Sequence, residues 1–317
     1  MFTPVAVPTP FEIGPVNTYI AGRTLVDPGP ASGEAWSKLL ETLEERELAP
    51  DDIEQVLITH PHPDHFGITA RFRDRGARVL ARPETAEIIR DFETRLADEQ
   101  AFFRDFFERC GIEPKTAETA TELPEAFLAY VEDTAVDRRL SDGDVVTVDD
   151  EAVTVRHAAG HAPGEAIFAF EGGDGQEAIV GDQVLPDTTP NPFLQPPAES
   201  DDRRPRVLPA YNDSLERLAG EDWAHLHPGH GDRIDRPRER IEAIRDEHEK
   251  RTGQVAEIVE GPTAPATVMR ELFGELPVTE VFPGMSEAVG HLDVLEARGR
   301  IERTERGGLI VYEPREQ

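Results

Sequence analysis

Positive charge is scarce in this chain, and lysine most of all. Lys38, Lys115 and Lys250 are the only lysines, and 33 basic residues face 64 acidic ones. With no basic excess to displace counterions from phosphates, the composition argues against a nucleic-acid partner. Cysteine is limited to Cys110, which excludes an intrachain disulfide and fits a reducing compartment. No apolar run approaches the ~20 residues of a membrane span. Met1-Phe2-Thr3-Pro4 brings neither a basic region nor an apolar h-region. The expectation is a cytoplasmic protein with no membrane partner.

What is abundant is acid. The formal charge is -31 over 317 residues, and nearly all the bases are arginine. This composition is halophilic in character: dense carboxylates keep a chain soluble in concentrated salt but strain it by self-repulsion in dilute buffer. A hydrophobic content of 38% is low yet compatible with a packed core. The length suits one large α/β domain and a smaller one.

Short β-branched runs alternate with helical periodicity. Strands are expected within Val5–Ala21, at Arg23–Val26, Gln55–Ile58, Ala77–Ala81, 144–148, 152–157, 166–170 and 178–182. Ser32–Glu45 places Trp36, Leu39, Leu40 and Leu43 on one helical face. Residues 83–140 read as a helical insertion. Its stripe of Phe102, Phe103, Phe106 and Phe107 is either a core face or a cap presented to a substrate. Leu185–Pro209 reads as a Pro-rich loop, Tyr211–Ala219 as a helix and Arg236–Lys250 as a charged helix. Two further helices and a hairpin turning at Gly307-Gly308 follow, a winged-helix layout. The boundary is placed near residue 252, giving domains 1–252 and 253–317.

The densest chemistry lies in Thr59-His60-Pro61-His62-Pro63-Asp64-His65-Phe66-Gly67, directly after a buried strand. Pro61 and Pro63 fix their own φ and push their predecessors out of the α region, so the expectation is a stiff loop rather than an immediate helix. Neutral imidazoles and a carboxylate on such a loop suit a borderline ion such as zinc. Further candidate ligands stand at later strand ends: His161 after Gly160, Asp182 after Gly181, and His230 between Gly229 and Gly231. Asp27 sits where an earlier strand stops.

The set His60-x-His62-x-Asp64-His65, Gly160-His161, Gly181-Asp182 and Pro228-Gly229-His230-Gly231, in this order, resembles the metallo-β-lactamase superfamily, and in particular its glyoxalase II-like branch. The resemblance covers about residues 5–250. It implies an α/β fold, an αββα sandwich, with His60, His62 and His161 on one metal, Asp64, His65 and His230 on a second, and Asp182 bridging. Asp27 becomes an orienting partner behind one histidine. Two ions of zinc type are implied, with iron or manganese as alternatives. Antibiotic-hydrolysing members often carry cysteine where this chain has Asp182, which weighs against β-lactam cleavage. Ala162 stands where relatives usually have a hydroxyl residue.

The implied reaction is hydrolysis of a thioester, ester or lactone. Paired ions share a water, lower its pKa, and deliver hydroxide to the carbonyl of a small acyl substrate. Asp64 is positioned to take or shuttle the proton as well as to bind metal. Asn191, Tyr211 and His227 are candidates for substrate contact. Two alternatives stay open: phosphodiester cleavage of RNA, prompted by the winged-helix layout, and oxygen chemistry on one iron. Residues 253–317 hold twelve acids and six bases, which favours packing or homodimerisation over nucleic-acid reading. His157 and His225 are read as structural, His248 as lying on a solvated helix face, and His291 as packing in the small domain.

Overall fold

Residues 1–93, 127–190 and 218–241 form a compact unit built on two β-sheets. The coordinates are a computed structural model that describes residues 1–198 and 203–315. The first sheet runs in sequence order: β1 (Thr3–Val7), β2 (Val16–Ala21), β3 (Thr24–Val26), β4 (Gln55–Leu57), β5 (Arg78–Ala81) and β6 (Arg138–Arg139). β1 to β3 pair antiparallel and β3 to β6 parallel. The second sheet contains β7 (Val145–Val148), β8 (Glu151–His157), β9 (Ala166–Glu171), β10 (Gln176–Gly181) and β11 (His225–Pro228), in the order β11-β10-β9-β8-β7. Only its β10–β11 pair is parallel.

The sheets share one core. Tyr19, Val26, Leu57 and Leu80 from the first pack with Val146, Val155, Phe168 and Ile179 from the second. β7 shows the period of two that puts one side inward: Val146 and Val148 are buried while Val145 and Thr147 are exposed. Burying each large aliphatic side chain is worth about 1.5–3 kcal/mol. On the outer face of the first sheet, α1 (Gly33–Glu44) lays Ala35, Leu39 and Leu43 against Leu25, Val56 and Val79. Ser32 caps α1: its Oγ accepts the Ala35 N–H at 3.0 Å. This is the mixed-sheet α/β arrangement the motifs imply.

The His-rich segment departs from expectation. A short helix, α2 (Pro63–Phe66), begins inside it, followed by α3 (Thr69–Arg73). Pro63 occupies the first helical position, where its fixed φ fits the helix and its missing N–H is one that no helical partner would have met. Only Thr59–His62 is loop. Residues 83–140 are helical only in part. After α4 (Pro83–Arg90), α5 (Phe92–Arg109), α6 (Pro114–Glu122) and a 3-10 segment Leu123–Tyr130, the chain extends, and β6 joins the first sheet.

Residues 94–126, 191–217 and 242–317 form the second unit. The remaining elements are α7 (Val207–Ala219), α8 (Pro237–Ile258), α9 (Pro265–Phe273), α10 (Val278–Ala297), β12 (Ile301–Arg306) and β13 (Leu309–Pro314). Phe103, Phe106 and Phe107 pack with Val255, Met285, Val289 and Leu292, so the phenylalanine stripe is a core face. α8 runs unbroken through residue 252, so the boundary expected there falls inside a helix. The expected loop before Tyr211 ends early, because α7 starts at Val207; part of that loop, residues 199–202, lies outside the described residues. His248 is also not on a solvated face. It is 3% exposed, with Nδ1 2.8 Å from Asn212 Oδ1, because one side of α8, carrying Ile244, His248, Thr252 and Val255, is buried despite the helix's charge. His291 is buried, as expected.

Candidate metal centre

Every strand end flagged in the sequence delivers its side chain to one place in the first unit. The segment after β4 supplies His60 and His62, and α2 supplies Asp64 and His65. The β8–β9 turn supplies His161, the end of β10 Asp182, and the segment after β11 His230. Donor atoms of His60, His62, His161 and Asp182 lie within 4.8 Å of one another, and so do those of Asp64, His65 and His230. His62 Nδ1 is 3.1 Å from both His60 Nε2 and His161 Nε2. Asp182 stands between the groups: Oδ2 is 3.6 Å from His161 Nε2 and 3.6 Å from His230 Nε2, and Oδ1 is 3.6 Å from His65 Nε2. Asp64 Oδ2 lies 3.2 Å from His230 Nε2.

The surrounding hydrogen bonds settle which nitrogens face inward. Asp27 Oδ1 accepts the Thr59 N–H at 2.8 Å, and Oδ2 accepts the Thr59 hydroxyl at 2.5 Å. Having donated its proton, Thr59 Oγ1 accepts from His60 Nδ1 at 2.9 Å. His65 Nδ1 donates to Asp27 Oδ2 at 2.9 Å, and His230 Nδ1 to the Pro15 carbonyl at 2.9 Å. In all three rings the proton is held at Nδ1, leaving the Nε2 lone pair aimed at the centre. The histidine that Asp27 orients, which the sequence does not reveal, is therefore His65.

These lone pairs test the fit of a cation. His65 Nε2, His230 Nε2 and Asp182 Oδ1 are buried with no hydrogen-bond partner, an arrangement that costs free energy unless something electropositive meets them. Nitrogens bound tetrahedrally at 2.0–2.1 Å to one ion lie about 3.3 Å apart, close to the 3.1 Å spacings around His62. Imidazole and carboxylate donors together suit divalent ions of the zinc, iron and manganese type. The residues fit.

The electrostatics divide the imidazoles. Burial, then the neighbouring His65 and His62 rings, holds His60 well below its ordinary value. Burial and His161 push His62 down to about 3. Burial acts the same way on His65, but the Asp182, Asp64 and Asp27 carboxylates outweigh it and raise that ring well above the ordinary range. His230 is raised too, since contact with Asp64 and Asp182 exceeds its desolvation. Burial acts to raise Asp64 and Asp182, yet His65 and His230 bring both below the usual carboxylate range. Without an ion, one side of the centre is neutral and the other is a set of ion pairs.

Glycines make room for this packing. A Cβ at Gly229 would stand 2.2 Å from Asp182 Oδ1 and 2.7 Å from His65 Cε1. Gly181 adopts φ +52°, and its Cβ would meet Thr59 Oγ1 at 2.8 Å.

The other candidates have partners of their own. His227 is buried beside Tyr19 and Phe170 with Nε2 2.6 Å from Glu177 Oε2, so it is a sheet-packing residue and not part of the centre. Asn191 and Tyr211 belong to the second unit, where the Asn191 amide donates to the Pro283 carbonyl at 3.1 Å and Tyr211 is fully buried against His248. His157 is exposed at the end of β8, its N–H bound to Asp142 Oδ1 at 2.7 Å. Sequence reading missed Thr59, the Pro15 carbonyl and Glu165. Glu165 is a buried carboxylate that accepts the His161 N–H at 3.0 Å, and burial pushes it up to about 8 against the pull of the Ala162 and His161 N–H groups. Thr59 alone had a signal, its place beside the first histidine.

Comparison with known proteins agrees with this geometry. The profile of the Metallo-beta-lactamase superfamily matches residues 12–230, a span that runs from just before β2 to the last histidine of the centre. The chain is 30% identical over 313 residues to the probable metallo-hydrolase YqjP of Bacillus subtilis, covering 97% of this chain and 96% of that protein. Among solved structures it resembles the metallo-beta-lactamase family protein TTHA1429 of Thermus thermophilus, with TM-score 0.82 and 26% identity over 99% of this chain and 98% of that one. A Beta-lactamase domain protein of Burkholderia ambifaria gives TM-score 0.80 and 25% identity, over 99% and 91%. With two facing mixed sheets, ligands at the strand ends and the matching motifs between residues 12 and 230, the chain belongs to the metallo-beta-lactamase superfamily.

Proposed function

We propose that this protein is a metal-dependent hydrolase of glyoxalase II-like character that cleaves a thioester, ester or lactone of a small acyl substrate. The observation that carries the reading is the inward-facing donor set: lone pairs of His60, His65 and His230 fixed by Thr59, Asp27 and the Pro15 carbonyl, with Asp182 between the two groups. His60, His62 and His161 would hold one divalent ion of zinc type, Asp64, His65 and His230 a second, and Asp182 would contact both. Such ions supply a water acidic enough to ionise near neutrality and polarise a carbonyl oxygen. The chain's part is to position and to move protons. Asp64, ionised and 3.2 Å from His230 Nε2, is the carboxylate able to accept a proton from the attacking water and return it to the leaving group.

The helices and hairpin that close the chain, α9, α10 and β12–β13, are proposed as a winged-helix-like module used for packing or for a homodimer. The acidic balance of residues 253–317 speaks against a nucleic-acid surface. A cytoplasmic, high-salt setting fits the charge and the single cysteine.

The test is metal analysis of purified protein together with a substrate panel in molar KCl. The panel holds a thioester, an ester, a lactone, a phosphodiester, an RNA and a chromogenic β-lactam. The expected result is about two ions per chain and turnover confined to the carbonyl substrates. Turnover of RNA alone, or one iron with no hydrolysis, would sink the proposal.

A further inference from the structure

Glu165 and Gln183 have no part in the chemistry above, yet each adjoins a segment that delivers a ligand. Glu165 is four residues after His161, and Gln183 follows Asp182 directly. Both are buried, at 3% and 0% exposure. The Glu165 carboxylate sits inside the turn that carries His161: it accepts the His161 N–H at 3.0 Å and a further N–H from Ala162, while the Glu165 carbonyl accepts the Ala158 N–H at 3.2 Å. The turn takes this shape at Gly160, φ +142°, and Gly164, φ +66°. A Cβ at Gly164 would meet Thr85 N at 2.7 Å, and the Thr85 hydroxyl donates to the Gly164 carbonyl at 2.8 Å, so the turn is held from outside as well. The Gln183 side-chain amide lies against the Glu165 carboxyl group, 3.1 and 2.9 Å from its two oxygens: turned one way its nitrogen donates to the ionised carboxylate, and turned the other its oxygen accepts from the protonated form.

We infer that Glu165 and Gln183 form a positioning strut that ties the His161 turn to the end of β10 and so sets the separation of His161 from Asp182. The Glu165 carboxylate meets two main-chain N–H groups and one side-chain amide. A buried carboxylate satisfied in this way is costly to place, and a core apolar side chain would fill the same volume at less expense. What the carboxylate supplies is several acceptor sites in one plane. Some of them shape the turn, and the rest reach across to the residue after Asp182. The 3.6 Å separation of His161 Nε2 and Asp182 Oδ2 is what the strut holds in place. Neither residue touches the reacting atoms. Their effect is on how tightly, and in what symmetry, the ion of His60, His62, His161 and Asp182 is held. Partners of this kind behind metal ligands are worth about 10–100-fold in affinity.

The inference rests on the metal reading proposed above, and the experiment separates the two. Cobalt(II) is titrated into chelator-treated, full-length protein in molar KCl, following its visible absorption bands and dissociation constants. Gln183→Met keeps the length and volume of the side chain and removes the donor. It is expected to weaken one of the two cobalt sites about 10-fold or more, and to shift the bands of that site. Glu165→Gln keeps the acceptor for the turn, and its own amide nitrogen can donate to the Gln183 oxygen, so affinity should stay within about threefold of the unaltered chain. Glu165→Ala loses the strut and should repeat the Gln183→Met defect. Melting of the cobalt-free proteins monitors the fold; should Glu165→Ala fail to fold, Gln183→Met and Glu165→Gln decide the matter between them. Unchanged cobalt affinity and bands in Gln183→Met overturn the strut, as does an equal loss in Glu165→Gln. Absence of cobalt uptake by the unaltered chain overturns the metal reading and the strut together.

Discussion

Asp27 Oδ2 lies 2.9 Å from His65 Nδ1 while the same oxygen accepts the Thr59 hydroxyl, so one carboxylate orients an imidazole in each half of the metal centre: His65 directly, and His60 through Thr59. Asp27→Ala should therefore weaken both sites. His65 bears the larger effect, because its only ring-proton acceptor is lost. The second site is expected to lose about 10–100-fold in affinity and the first less. Isothermal titration of chelator-treated protein with zinc would resolve two classes of site; equal, unaltered affinities would contradict the geometry.

His62→Ala and Asp64→Ala should each lower turnover about 100-fold or more while leaving far-UV circular dichroism unchanged. His62 Nδ1 is shared between two 3.1 Å contacts, and Asp64, 3.2 Å from His230 Nε2, is proposed to combine ligation with proton transfer. His157→Ala, an exposed residue at the end of β8, serves as the control and should retain full turnover.

The metal-stripped protein should lose stability as pH rises. His65 and His230 have folded values raised above about 6.5. Their contribution is complete below that value and disappears as pH climbs through the raised ones. Glu165 acts in the same direction: raised to about 8, it must surrender a proton from a buried position that the unfolded chain has already lost near 4.5. The melting temperature of stripped protein should fall between about pH 6.5 and 9. That of loaded protein should hold level, because ions take the place of the protons. Zinc uptake in weak buffer near neutrality should release protons. A stripped protein that gains stability over this range would refute the assignment.

Gly229→Ala places a methyl group 2.2 Å from Asp182 Oδ1, so that carboxylate must move. The expected outcome is a folded protein with metal content reduced and turnover down about 10-fold or more. Metal content and activity equal to the unaltered chain would show that Asp182 does not need its present place.

With a formal charge of -31, the chain should melt several degrees higher in molar KCl than in dilute buffer. Exposed pairs such as Arg298–Glu249 and Arg306–Glu313 are screened by the same salt and are worth little individually. Relief of carboxylate repulsion therefore decides the sign. A melting curve indifferent to salt would contradict the halophilic reading.

The candidate site was legible in the sequence because its donors occupy strand ends and sit beside glycines, where spacing and residue type carry the signal. What could not be read is what main-chain atoms and distant side chains do to those donors. The Pro15 carbonyl behind His230 has no side-chain signature, and the link between Glu165 and Gln183 joins residues eighteen positions apart with no pattern between them. Periodicity found most elements of the fold. It misjudged Pro63, since the same residue that breaks a helix interior begins one well. It also misjudged His248, because the charge on α8 masks the side that is buried. Helix α8 runs across the boundary placed near residue 252, because a change in composition does not mark where a helix stops.

The His60–His65 corner brings four donors from six consecutive residues, but His161 follows His62 ninety-nine residues later and His230 lies further still. A ribosome making this chain exposes the first imidazoles long before their companions exist. On the proposed assignment no ion's donor set is complete until Asp182 has emerged, and the second not until His230. An ion offered earlier would meet only incomplete, exchangeable chelates, so correct loading would wait for the last strand ends of both sheets.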